Sequence, residues 1–291
     1  MISQPGCNGD LVWASAPARV QPGAPVFIIG IMNRCGTNYL CDILRLHPAF
    51  KPPRLVVEDY ALKHVDLLIK YAEQTYRRWG HGKMPIDEQT KARLIGALGG
   101  GIVSFLGEQL DTHYRILTKT PSPDNVDKFF MLFPDAKLLV LVRDGRDVVE
   151  SAAKSWRRVP KPYWMRQWAL GARSILTFKE GVGRGLEGSR WALVRYEDLI
   201  ERNEETVRRI LELLDLDTSS FNWDQLPSLP LRGSSAHFGD EGHLNWRLLP
   251  KPNNFRPVGR WSNWGALQKS MFKMIAGREL IRLGYAGDSQ W

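Results

Sequence analysis

Apolar residues in this chain fall into short unbroken runs separated by stretches with helical spacing, the alternation that a sheet sandwiched between helices requires. The first run, Val26 to Ile29, leads into a glycine-bounded loop, Gly30 to Gly36, and then into apolar positions at helical spacing from Tyr39 to Leu46, ended by His47-Pro48. That order predicts strand, loop, helix. Residues 61 to 110 alternate apolar and charged groups with helical period and are interrupted at Gly80 to Pro85 and at Gly99 to Gly101, which predicts one or two helices with irregular joints. Arg115 to Thr118 is a candidate short strand, and Pro123 to Leu132 reads as helix. The run Lys137 to Val142, KLLVLV, has the continuous apolar character of a strand buried on both faces of a parallel sheet. A helix is expected from Asp144 to Lys154. Trp191 to Val194 is a further short strand, and Val207, Ile210, Leu211 and Leu214 mark a helix over Glu204 to Leu214. Helical spacing returns from Gln268 to Leu283.

Strands alternating with helices predict an α/β fold, a single three-layer domain with a central parallel sheet flanked by helices and joined by right-handed crossovers. Residues 1 to 24, rich in Pro, Gly, Ala and Ser without periodicity, read as an N-terminal extension, with the domain running from 25 to 291. Residues 217 to 265 lack periodicity, and a loop of that length is usually functional or disordered.

The composition, 43% hydrophobic and 24% charged over 291 residues, is that of a globular protein able to bury a sizeable core. A formal charge of +9 favours an anionic partner, whether nucleotide, nucleic acid or acidic polymer. The N-terminal residues have no basic segment followed by an apolar one, and no later stretch is long and apolar enough to span a membrane, so a cytoplasmic enzyme is expected. Cys7, Cys35 and Cys41 are odd in number and show no CxxC spacing, and the histidines show no HxxxH or HExxH. Neither a disulfide framework nor a metal site is expected.

Candidate chemistry begins with Gly30-Ile31-Met32-Asn33-Arg34-Cys35-Gly36-Thr37. A Gly-rich turn from a buried strand into a helix aims backbone N–H groups and the positive end of the helix dipole at a phosphate. It is not a nucleoside-triphosphate loop of the G-x-x-x-x-G-K-[ST] kind, because Gly36, not Lys, precedes Thr37. A second signal is Leu141 to Ser151, LVRDGRDVVES, in which Arg143 ends a buried strand and Ser151 lies a turn or two into the next helix. Such a pair can converge on one phosphate in the crevice at the strand ends. The alternative is an ordinary Arg143–Asp147 ion pair with Ser151 facing solvent.

Together these two segments resemble the PAPS-dependent sulfotransferase superfamily (PAPS, 3′-phosphoadenosine 5′-phosphosulfate), whose 5′-phosphosulfate loop looks like PxRSGTT and whose 3′-phosphate site looks like R-D-G-R-D-x-x-x-S. Val194 to Leu199, VRYEDL, is similar to the family's YEDL segment. Arg256 to Trp261, RPVGRW, and the closing Leu283-Gly284-Tyr285 match in the same order. The resemblance implies a P-loop-like sulfotransferase fold with PAPS as co-substrate, no metal, and a hydroxyl-bearing acceptor that is a small molecule, a carbohydrate or a tyrosine. It puts Arg34, Cys35, Gly36, Thr37 and Asn38 on the 5′-phosphosulfate, and Arg143 and Ser151 on the 3′-phosphate, with Arg256 and Arg260 completing the donor site. Tyr39 stands where many soluble members carry a Trp that stacks on adenine, and it reads equally well as a core residue of the first helix. Tyr196 is either near the nucleotide or a buried structural hydroxyl.

Sulfuryl transfer needs in-line geometry, cations on the transferring group and the leaving phosphate, and a base for the acceptor hydroxyl. The resemblance assigns the cationic roles to Arg34 and to Lys119, in Thr118-Lys119-Thr120-Pro121. Many cytosolic members carry a basic His at the place of Pro121, so the base must come from elsewhere. The tyrosylprotein and bacterial branch uses a Glu after the first helix, which makes Glu58 the preferred base, with Asp59 and His64 in reserve. Ser234 or Ser235 is a candidate contact to the sulfuryl group.

Three rival readings fit the same residues. A small-molecule kinase would share the sheet and loop but needs the missing lysine. A cysteine-nucleophile enzyme would exploit Cys35 at a helix N-terminus. A nucleic-acid-binding module, less expected, would use Lys154, Arg157, Arg158, Lys161 and Arg166 interleaved with Trp156, Tyr163, Trp164 and Trp168, a cluster equally readable as a helix face with packed aromatics or the wall of an acceptor site.

Overall fold

The structure, a computed structural model, describes residues 22–54, 56–79, 87–111, 113–232, 249–252 and 255–291. Most of the expected N-terminal extension, and both Ser234 and Ser235, lie outside the described residues. In chain order the elements are β1 (Val26–Gly30), α1 (Thr37–Leu44), α2 (Val65–Trp79), α3 (Glu88–Glu108), β2 (Leu117–Thr120), α4 (Phe129–Leu132), β3 (Lys137–Val142), α5 (Gly145–Ser155), α6 (Lys161–Glu180), β4 (Trp191–Arg195), α7 (Tyr196–Glu201), α8 (Asn203–Leu213) and α9 (Ala266–Arg282). The strands form one parallel sheet in the order β2-β1-β3-β4, with helices flanking it in three layers.

The two central strands are the most apolar stretches of the chain, VFIIG and KLLVLV, and they are buried along almost their whole length. That follows from their position, because a central parallel strand meets helices on both faces and has no solvated side. The register brings Gly30 beside Leu141, so the glycine loop after β1 and the Arg143 segment after β3 leave the sheet together. Chain reversal between adjacent parallel strands makes that carboxyl edge the place where a crevice opens.

Strand β2 lies two residues beyond its expected span of Arg115 to Thr118. Arg115 is spent otherwise: its amide donates to Ala49 O at 2.8 Å, and its buried guanidinium ties the carbonyls of Ala24 and Leu214. Lys119 therefore stands inside β2, paired in register with Ile28, instead of just after the strand. The expected helix over Pro123 to Leu132 is a short 3-10 turn, Val126–Lys128, running into α4. In the aperiodic stretch after α8, 3-10 turns form at Thr218–Ser220, Trp223–Gln225 and Arg260–Asn263.

Aromatic packing holds α6 against the site. Trp168 is fully buried and its Nε1 donates to Arg143 O at 3.0 Å, while Trp164 is nearly as buried. Trp164 and Trp168 of the basic cluster are thus core groups and Lys161 pairs with Glu150, whereas Trp156 and Tyr163 stay exposed, so the nucleic-acid reading keeps only part of its aromatic surface. Gly171 allows α6 to touch the glycine loop: a Cβ there would stand 2.1 Å from Ile31 O. Among the described residues no helix is long and apolar enough to cross a membrane.

Candidate active site

The loop after β1 turns through two left-handed residues, Arg34 at φ 75° and Gly36 at φ 106°. Gly36 is required twice over, because L side chains avoid that conformation and because an added Cβ would lie 2.4 Å from the Tyr196 ring. The turn delivers the first amides of α1, which have no carbonyl partner within the helix, to the mouth of a cleft of about 540 Å³. Arg34, Gly36, Thr37, Asn38, Tyr39, Arg143, Ser151, Tyr196 and Arg260 line that cleft. Segments far apart in sequence are therefore brought together.

Arg143 donates to Arg34 O at 3.0 Å and to Pro257 O at 2.6 Å, and its guanidinium lies 4.3 Å from the Tyr196 ring centroid. Its Nε is buried without a hydrogen-bond partner. Ser151 is buried, not solvent-facing, and accepts from Arg34 Nε at 3.3 Å. Asp147 does not engage Arg143 in a hydrogen-bonded pair. It accepts from the amides of Gly259 at 2.8 Å, Arg260 at 2.6 Å and Trp261 at 3.3 Å, capping the 3-10 turn that carries Arg260 to the cleft. Burial pushes the Asp147 carboxyl above its ordinary range, against the pull of Arg143. Burial together with the charges of Arg143 and Arg260 pushes Arg34 down to about 10, and Arg260 is lowered by burial and Arg143 in the same sense.

Two expected donor contacts fall elsewhere. The Cys35 side chain points into the core, its Sγ over Gly30, and burial raises its pKa to about 11. A thiol held neutral and out of solvent cannot serve as a nucleophile, and the cysteine-nucleophile rival falls on that point. Arg256 is exposed, and its carbonyl accepts from Arg260 Nε at 2.9 Å. Tyr39 is buried in the first helix as a core residue would be, yet it also lines the cleft, edge to face with Tyr196 at 6.1 Å.

Glu58 lies one strand away. Its Oε1 accepts from Lys119 Nζ at 2.9 Å, and its Oε2 accepts from the Tyr60 hydroxyl at 2.8 Å. Lys119 is buried and Glu58 is partly open. Asp59 serves the fold: it accepts from Thr118 Oγ1 and from the Ala61 amide, both at 2.8 Å, and its own amide donates to Lys119 O. His64 is exposed at the start of α2. A second, wider cleft of about 840 Å³ shares the glycine loop through Met32 and Asn33 and is otherwise walled by Tyr60, Pro121 and one face of α6.

Several positioning groups have no local sequence signal. Asp144 caps α5 and pairs with Arg146 at 2.7 Å, and Arg146 packs on the rings of Trp261 and Trp291. Glu197 accepts from Asp144 N at 2.9 Å and from the Tyr285 hydroxyl at 3.1 Å, so the RDGRD, YEDL and LGY segments interlock. Their side-chain types were visible in sequence, but partners more than fifty residues away were not. Among the described residues no cluster of His, Cys, Asp and Glu could hold a metal ion.

The family model described as "Sulfotransferase family" matches residues 25–220. Protein-tyrosine sulfotransferase A of Caenorhabditis elegans is 24% identical over 82% of this chain, and protein-tyrosine sulfotransferase 1 of Danio rerio is 23% identical over 93% of it. The chain spans 61% and 75% of those two proteins, respectively. Among solved structures, the sulfotransferase domain of the Synechococcus PCC 7002 olefin synthase superposes with a TM-score of 0.51 at 20% identity, over 90% of this chain and 96% of that one, a likeness of fold. The chain belongs to the sulfotransferase family.

Proposed function

We propose that the protein moves a sulfuryl group from PAPS to an acceptor hydroxyl and releases 3′-phosphoadenosine 5′-phosphate. The observation that carries this reading is the crowding of Arg34, Arg143 and Arg260 into one cleft, close enough that the charges of Arg143 and Arg260 help lower the pKa of Arg34 and that of Arg143 helps lower Arg260. A dianionic phosphate at each end of a ribose would relieve that repulsion and occupy the buried Arg143 Nε. Arg34, Thr37 and the amides from Gly36 to Asn38 would hold the 5′-phosphosulfate, and Arg143 with Ser151 the 3′-phosphate. Tyr39 and Tyr196 would border the nucleoside. Tyr39 is a neutral phenol at working pH, because burial raises it to about 12.

In the transfer step the acceptor oxygen attacks sulfur, the bond between sulfur and the 5′-phosphate oxygen breaks with its electron pair leaving on the phosphate, and the hydroxyl proton passes to Glu58. Lys119 holds the Glu58 carboxylate in place through their 2.9 Å contact and would offer positive charge to the departing oxygen. The unpaired thiols Cys35 and Cys41 suit a reducing compartment such as the cytoplasm. The test is a thermal shift. 3′-Phosphoadenosine 5′-phosphate should raise Tm well above the shifts from ATP and NAD, since only a ligand of the native state stabilises it by mass action. Equal shifts from ATP and the bisphosphate would sink the donor assignment.

A further inference from the structure

We infer that the wider cleft between the glycine loop and α6 binds a neutral saccharide and presents one of its hydroxyls to Glu58, an inference that rests on the transfer reading above. The cleft is joined to the base by a single hydrogen bond: Tyr60 lines it, and the Tyr60 hydroxyl donates to Glu58 Oε2 at 2.8 Å. Burial, followed by the hydrogen bond to Glu58, raises Tyr60 to about 12, so it stays a donor.

The lining then speaks to the ligand's chemistry. Helix α6 contributes Tyr163, Gln167 and Ser174, which share one helical stripe with Leu170 and Gly171, and the loop contributes Asn33. Side-chain amides and hydroxyls both donate and accept, as sugar hydroxyls do. Tyr163 stands edge to face with Trp164, ring centroids 4.9 Å apart, forming an aromatic wall of the kind that takes the C–H face of a pyranose. Trp164 Nε1 is buried without a hydrogen-bond partner, which leaves a donor in that wall.

Charge and shape argue against the other acceptors. Lys63 and Asp124 are the charged groups in the lining, one of each sign, whereas an acidic tyrosine peptide or a uronic polymer calls for a surplus of cations. A small phenol calls for an enclosed apolar slot. This cleft is open to solvent and edged with the side-chain amides of Asn33 and Gln167.

The sugar oxygen would form the new bond to sulfur as its proton moves to Glu58 and the bisphosphate leaves. Binding can be read without donor, by saturation-transfer NMR on the full chain with methyl hexosides, methyl N-acetylhexosaminides and neutral disaccharides, against 4-nitrophenol and an acidic tyrosine peptide. Saccharide signals are expected, and Gln167→Leu and Tyr163→Ala, both on the solvent side of α6, should reduce saccharide affinity and kcat/KM by about tenfold. Both variants should keep the bisphosphate thermal shift, which shows that they fold. Binding of the phenol or the peptide without saccharide, or saccharide binding indifferent to both variants, overturns the inference. A missing bisphosphate shift in the wild type would instead remove the donor reading and the transfer step, while the donor-free NMR result would still decide the cleft's ligand.

Discussion

The site's side chains divide into those that face the cleft and those that hold them there, and single substitutions separate the two. Arg143 and Ser151 face it, yet Arg143 also bridges the carbonyls of Arg34 and Pro257. Arg143→Ala and Ser151→Ala should weaken 3′-phosphoadenosine 5′-phosphate, the arginine change by roughly 1.5–3 kcal/mol for a charge-assisted contact. The same changes should cost adenosine 5′-phosphosulfate far less, as titration calorimetry on both ligands would register. A full penalty on the ligand lacking the 3′-phosphate would mean that the arginine acts through the fold. Glu58→Gln keeps size and hydrogen bonding but removes the carboxylate that Lys119 and Tyr60 hold. Single-turnover transfer should slow by about two to four powers of ten with nucleotide affinity nearly unchanged. Undiminished chemistry would dismiss Glu58 as the base. Asp59 is the weaker reserve, since both its oxygens are engaged by Thr118 and Ala61.

Between elements, the connections are polar and specific. His47 closes the turn after α1: its Nδ1 accepts from the Ala49 amide at 3.1 Å, so the ring proton sits on Nε2, 3.1 Å from Asp217 O. Both nitrogens are satisfied only in the neutral ring. Burial lowers the His47 pKa below its ordinary value near 6.5, outweighing the pull of Asp217. The unfolded chain therefore binds the proton first. Its contribution to stability is full above about pH 6.5 and is lost as pH falls through the folded pKa. Chemical denaturation between pH 7.5 and 5 should show a steeper loss for the wild type than for His47→Gln, and parallel curves would refute the role. Asp147 does comparable work at the other end of the domain, gathering the amides of residues 259 to 261 onto α5. The aspartate is legible in the RDGRD segment, but its duty as a cap for a turn over a hundred residues away is not.

At the scale of the molecule, the strand order β2-β1-β3-β4 puts the two segments proposed to hold phosphates after neighbouring strands and sets Lys119 on the strand next to the one that leads into the loop. The C-terminal residues are woven into the same body, because Tyr285 bonds Glu197, and Trp291 packs on Arg146. Unfolding should accordingly be one cooperative event: tryptophan fluorescence and far-UV circular dichroism are expected to lose signal at the same denaturant concentration, and both should move together when the bisphosphate is added. Separated transitions would show that the segment after residue 220 forms a unit of its own.

What the amino-acid order by itself determined was local. Continuous apolar runs specified β1 and β3, glycines at 30 and 36 bounded a loop before a helix, and the RDGRD spacing specified a strand end and a helix start, because each depends on neighbours within a turn or a strand length. Tertiary structure decided the rest. It moved β2 two residues downstream by enlisting Arg115 in distant carbonyl contacts, turned Cys35 inward and Arg256 outward, and joined Glu58 to Lys119 across sixty-one positions. Those outcomes turn on burial and on hydrogen-bond partners that only the packed sheet brings within reach, and no periodicity along the chain encodes a partner's distance in space.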